Sequence, residues 1–333
     1  RGNVSADLTN GVSLFGFGNY QMSAKYHYGK SSFTALAQWI RRDLEWNREN
    51  EETFHYPDKV ITNRETVAAP NRIKYDYLNT SLNYNYTNGE KSMLNIAFRT
   101  DVKDIPSGFT DRNTILHQED KEYEVKDREQ SETYIPSIDV YYQLNLKNDQ
   151  HLYFDVVGTY LKSNNERTYS MTEVGLTPVE IRSKTEGDKY SIIGEAIYER
   201  PLWGGKFSTG LMHNQATMDN VYDGDAMTKV SMNTSETSLF TEYQSKIGKL
   251  NYTLGVGALR TFYNQGNASQ ERYFFRPTLN LSYSLGKVFL RYNASLSGYA
   301  PSLSALSNVE QSMDAYQVRR GNPNLKSVTY FTN

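Results

Sequence analysis

The sequence predicts an all-β protein, an antiparallel up-and-down transmembrane β-barrel. Three observations predict it: a polar chain dense in aromatics, segments that alternate strictly between apolar and polar residues, and short connections that alternate with long ones. Of 333 residues, 38% are hydrophobic, yet 27 are Tyr and 14 are Phe. Disordered chains are poor in aromatic and β-branched residues, so the polarity is not that of disorder. Alternation accounts for both properties.

No run approaches the roughly 18 uninterrupted apolar residues of a membrane-spanning helix. A membrane strand needs only about ten residues with every second one facing lipid, so strands stay open as the crossing element. No basic and apolar leader opens the chain at Arg1, which places any export signal in a removed or preceding segment. The absence of cysteine excludes a disulfide framework and thiolate chemistry. A net charge of −2, with both signs dispersed, leaves no basic footprint for nucleic acid.

Strands are expected from Asn3 onward. In residues 78–86, Leu78, Thr80, Leu82, Tyr84 and Tyr86 share one face, with Asn79, Ser81, Asn83 and Asn85 on the other. The pattern repeats for Ile138, Val140, Tyr142, Leu144 and Leu146 against Asp139, Gln143 and Asn145. It repeats again for Leu279, Leu281, Tyr283 and Leu285, and for Val288, Leu290, Tyr292, Ala294 and Leu296. Opposite these last rows stand Asn280 and Ser282, then Arg291 and Asn293. Short turns are expected at HYGKSS, TNGEKS, LKNDQH, LWGGKF, KIGKLN and SLGKVF, because Gly and Asn supply positive φ without steric cost. Long charged connections are expected at 44–72, 103–132, 163–188, 221–228 and 264–271. The tally is about 13–14 strands, the last beginning at 327–333. Unequal connections are those of an outer-membrane barrel, with short turns on the periplasmic rim and long loops outside. A soluble sandwich would scatter loop lengths and bury the oily faces against a second sheet.

Candidate chemistry is sparse. His27, His55, His117, His151 and His213 stand apart from any ligand spacing, so neither a metal nor a cofactor is expected. Asp219, Asp223 and Asp225 cluster in DNVYDGDAMT but miss the EF-hand pattern, and a charged turn is the simpler reading. The run 117–132, HQEDKEYEVKDREQSE, reads as a solvated charged face. Binding residues concentrate on loops carried by a rigid scaffold, which makes Trp46, Phe54 and Tyr56 candidates for stacking on a ligand ring. Asn79, Asn83, Asp139, Gln143, Arg291 and Asn293 are expected to face the barrel interior, hydrating it or holding a plug.

The segment 297–326, SGYAPSLSALSNVEQSMDAYQVRRGNPNLK, resembles TonB-dependent outer-membrane receptors, where Pro-Ser-x-x-x-Leu precedes a Gly-Asn-Pro-x-Leu turn. The matching residues are Pro301, Ser302 and Leu306, then Gly321, Asn322, Pro323, Asn324 and Leu325. The usual acidic residue after Leu-Lys is replaced by Ser327 and Val328. The opening, RGNVSADLTNG followed by NYQMSAKYHYGKSSFTALAQW, is similar to the first barrel strands of Tyr-rich Bacteroidetes receptors. The resemblance implies a 22-stranded barrel in the bacterial outer membrane, with a plug domain inside it and a TonB box. It further implies partnership with outer-membrane lipid and the TonB complex, and import of a small nutrient such as a siderophore, glycan or peptide. On that reading residues 1–333 are the barrel portion of a longer chain, without plug, TonB box or C-terminal strands. Catalysis is not expected, since an enzyme barrel needs a Ser-His pair with an orienting group. A passive porin or a surface adhesin shares the same strand pattern and stands as the alternative.

Overall fold

The computed structural model describes residues 2–10, 18–46, 50–55, 60–68, 71–108, 111–118, 121–173, 175–224, 227–266, 268–299, 301, 303–306, 309–312, 318–322 and 324–332. Strands β1 (Gly2–Asn10), β2 (Gly18–Tyr28) and β3 (Ser31–Trp46) pair antiparallel in sequence order. The hairpin β4 (Asn50–His55) and β5 (Val60–Ala68) branches off, so β3 pairs next with β6 (Asn71–Asn88), and β6 with β7 (Ser92–Ser107). β8 (Arg112–Gln118) joins β5 to the far end of β9 (Lys121–Leu146), while β7 pairs with the near end of β9. β10 (Gln150–Glu173), β11 (Val179–Leu202), β12 (Gly205–Asp223), β13 (Thr228–Ile247) and β14 (Leu250–Gln265) follow as successive hairpins.

β14 then meets two strands end to end, β15 (Ala268–Phe275) and β16 (Thr278–Leu285). The break falls at Arg276 and Pro277, where proline offers no N–H to the ladder. The adjacent groups still pair, Arg276 N–H to Gly257 C=O at 2.8 Å and Leu296 N–H to Pro277 C=O at 3.1 Å. β17 (Val288–Tyr299) closes the hairpin with β16. A crossing segment holds α1 (Leu303–Leu306), β18 (Gln311–Ser312) and β19 (Val318–Arg319), and β20 (Val328–Thr332) pairs with β17. Among the described residues, β1 and β20 do not pair with each other.

All six short turns lie where Gly and Asn place them. Gly29, Gly89, Gly204, Gly248 and Gly286 take φ of 56°, 58°, 74°, 59° and 58°, and Asn148 takes 60°. The long connections are different from expectation. Residues 103–132 and 163–188 are mostly strand, because β9 runs for 26 residues and β10 and β11 for 24 each. Charged and polar residues stand on both faces there, and cross-strand partners on both sides carry them as one continuous ladder instead of irregular loops.

Register sorts the two faces. Leu82 stands opposite Ala35 and Phe98, Phe98 opposite Ile138, Ile138 opposite Gly158, and Gly158 opposite Ile192. This apolar row is exposed, with Leu82 at 59% and Ile192 at 53% of full accessibility. The same face turns charged farther from the short turns, at Asp43 on β3, Lys74 and Arg72 on β6, Lys162 on β10 and Glu186 on β11. On β10 the apolar stretch is residues 152–160, close to the 9–11 residues of a tilted membrane strand. Amphipathic rings mark its upper border. Trp39 stacks on Tyr20 with centroids 5.1 Å apart and donates its Nε1–H to Asp76 Oδ1 at 2.8 Å. Tyr160 stacks on Tyr190 at 4.8 Å and donates its O–H to Asp188.

Beyond the band the opposite face becomes partly apolar and buried. Leu116, Val125, Tyr169 and Met171 form one cluster, and Val230, Met232, Tyr263 and Leu306 another.

Candidate functional site

Six polar residues expected to face the interior, Asn79, Asn83, Asp139, Gln143, Arg291 and Asn293, do share the face opposite the apolar row. A single cross-strand line on that face runs through Thr34, Asn83, Ala97, Asp139, Val157, Ile193, Asn214, Glu236, Thr261 and Arg272. Arg99 pairs with Asp139 at 3.0 Å. Nearer the short turns, Gln143 donates to Asn145 Oδ1 at 2.9 Å, and His151 Nδ1 shares the same oxygen at 2.8 Å. Glu199 collects three partners: the Tyr153 and Ser208 hydroxyls, each at 3.0 Å, and Lys206 Nζ at 2.7 Å. These groups largely satisfy one another, so this part of the face is a hydrated lining with its own internal order.

The segment after β17 folds onto this face. Leu306, at the end of α1, is 2% exposed among Val230, Met232 and Tyr263. Asn322 N–H donates to Ala305 C=O at 2.7 Å, which ties the two halves of the Pro-Ser and Gly-Asn-Pro motif together. The Asn322 side chain accepts the Asn324 N–H at 2.9 Å, an Asx turn that sets the entry into β20. Pro301 and Leu306 line a cavity of about 390 Å³ with residues of β11 to β15. Beside the turn Gly321 is half-buried and Leu325 is exposed. Ser302 and Pro323 lie outside the described residues.

The side chains of the ring-stacking candidates lie outside the described residues. Trp46 ends β3 and Phe54 lies on β4, while Tyr56 falls outside the described residues. The histidines are dispersed. His27 lies on β2 and His55 on β4; His117 has its Nδ1 3.8 Å from Glu122; His213 shares a hydrogen bond with Thr237 at 2.8 Å on the apolar face. Among the described residues, no group of three His, Asp or Glu side chains could hold a metal ion. Asp219 accepts from Ser231, Asp223 ends β12, and Asp225 lies outside the described residues.

The charged run 117–132 resolves into paired contacts. Lys121 reaches Glu173 at 3.1 Å, Lys126 reaches Glu124 at 2.8 Å, and Asp127 takes a two-pronged contact from Arg167 at 2.8 and 2.7 Å. Burial opposes the Arg167 charge, but the hydrogen bonds and field of Asp127 outweigh it and hold the guanidinium above its ordinary range. Sequence reading missed Asn214, Glu236, Thr261 and Arg272, which lie on four different strands. Only their register makes them neighbours, and a period-two pattern carries no register.

Residues 144–330 match the model of the outer membrane protein beta-barrel family. The chain belongs to that family. Its apolar face therefore meets the lipid of the bacterial outer membrane, and its polar face lines the barrel interior. No curated protein matches the sequence. The chain also shows a distant likeness to the crystal structure of ferric citrate transporter FecA in the unliganded form. The likeness has a TM-score of 0.32 and 8% identity, and covers 85% of this chain and 64% of that one. The chain thus spans less than two thirds of that transporter.

Proposed function

We propose that this outer-membrane barrel is the barrel part of a TonB-dependent receptor that takes a small nutrient from outside and delivers it to the periplasm. One observation carries the reading: the Pro301 and Gly321 motif halves, joined through Ala305 and Asn322, fold onto the inner face and roof a cavity there. A roofed cavity on the inner face favours capture over free diffusion. On this reading the partners are outer-membrane lipid, a plug domain inside the barrel, the TonB complex and the nutrient. The mechanism is binding and release, with no catalytic step: the upper interior and its rim hold the ligand, force through the plug frees it, and the polar lining lets it pass.

The test is growth of a deletion strain on a panel of limiting nutrients, followed by uptake of the responsive nutrient with and without TonB. Loss of uptake in both the deletion and the TonB-deficient strain is the expected result. Uptake that persists without TonB makes the protein a passive porin, and unchanged growth with lost surface attachment makes it an adhesin.

A further inference from the structure

We infer that the cavity under the α1 segment binds a small zwitterion of dipeptide size, its amino group at Glu236 and its carboxylate at Arg272. The inference names the ligand class of the receptor proposed above and rests on that reading for its physiological meaning. The residues themselves carry the chemistry. Asn214 stands opposite Glu236, Glu236 opposite Thr261, and Thr261 opposite Arg272, all on the inner face. Adjacent strands lie about 4.8 Å apart, so the carboxylate and the guanidinium are anchored about 10 Å from each other, with buried Thr261 as the floor between them. Two extended residues span about 7 Å, which side chains of this length can bracket.

The groups are not used up by one another. Among the described residues Glu236 and Lys189 form no ion pair, and Arg272 spends one N–H on the Glu271 carbonyl at 3.1 Å. Elsewhere on the upper strands charges do pair, as Arg167 with Asp127 and Arg260 with Glu271 show. Two further polar atoms lining the cavity, Asn214 Oδ1 and Ser327 Oγ, are buried without a hydrogen-bond partner. A buried polar atom without a partner costs stability, and a ligand rich in amide N–H and C=O groups supplies what is missing. A sugar would satisfy the polar atoms but leave both charges unmatched. A dianion would meet Arg272 and Lys189 and be repelled by Glu236.

Calorimetric titration of the full-length protein in detergent, with four probes, decides the matter. Ala-Ala is expected to bind at least tenfold tighter than N-acetyl-Ala-Ala or Ala-Ala-amide, and N-acetyl-Ala-Ala-amide weakest of all. Glu236→Gln should weaken Ala-Ala at least tenfold while leaving N-acetyl-Ala-Ala unchanged, and Arg272→Gln should weaken Ala-Ala at least tenfold while leaving Ala-Ala-amide unchanged. Equal affinity for all four probes, or no binding of Ala-Ala, overturns the proposal on the unaltered protein, whatever the folding of the variants. Dipeptide binding with TonB-independent uptake would overturn the receptor reading and leave the site standing. TonB-dependent uptake of another nutrient without dipeptide binding would overturn the site alone.

Discussion

Arg167 and Asp127 show how single residues stabilise the part of the sheet that rises out of the membrane. Their side chains are 19% and 9% exposed, so the pair is largely shielded from water. Removing one member strands the other charge, and Arg167→Ala is expected to cost about 3 kcal/mol in urea unfolding of the detergent-held protein, with Arg167→Lys intermediate because it loses the fork. Asp43 and Arg72 are the exposed counterpart. The hydrogen bond from Arg72 holds the Asp43 carboxyl below its ordinary value despite some burial. A depressed carboxylate contributes stability above its unfolded value near 3.8, and that stability is lost as pH falls through the lowered folded value. Hydrogen exchange at the upper ends of β3 and β6 should therefore quicken only below about pH 4, and neutralising Asp43 with Asp43→Asn should remove that pH dependence. At the opposite rim, a Cβ on Gly205 would press on the Gln244 carbonyl and come within 2.7 Å of Ser245 Cβ. Because the obstacle is backbone, Gly205→Ala is expected to cost about 1–3 kcal/mol and loosen the start of the β12–β13 ladder, read by the same unfolding measurement.

Among elements, turns were legible and the long connections were not. A turn needs one residue with positive φ, so Gly29 or Gly248 announces it locally. The upper parts of β9, β10 and β11 carry Glu, Lys, Arg and Asp on both faces, and such composition reads as loop. They are strands because each has a neighbour on both sides to complete its ladder, a non-local cause. The α1 segment was legible as a motif but not as a fold. Its orientation depends on Leu306 finding Met232 and Tyr263, which are 40 or more residues away in sequence. Leu306→Ala should cost about 2–5 kcal/mol locally, releasing the segment. The measurement is hydrogen exchange at Asn322 N–H: rapid exchange is expected in the variant, and unchanged protection would show that the segment is held by something other than Leu306.

At the scale of the whole molecule, the two faces were readable from alternation alone, since Leu82 against Asn83 and Ile138 against Asp139 already separate oil from water. The interior site was not, because alternation says which face a residue takes and nothing about how high it stands relative to the next strand. The assignment of faces makes a paired prediction. Ile192→Lys, in the lipid-facing row, should cost about 2–4 kcal/mol in folding into vesicles. Ile193→Lys, one residue on and facing the interior, should fold nearly as well as the parent chain. Equal penalties at both positions would contradict the assignment.

The length of β9 has its own consequence. At about 3.3 Å per residue, 26 residues reach about 85 Å, of which the hydrocarbon layer takes up about half even when the strand is steeply inclined. The remainder stands beyond the hydrocarbon layer, so the charged upper parts of β9, β10 and β11 rise well clear of the lipid-facing row. A large particle approaching from outside would meet the tips of β9, β10 and β11 before any lipid-facing residue.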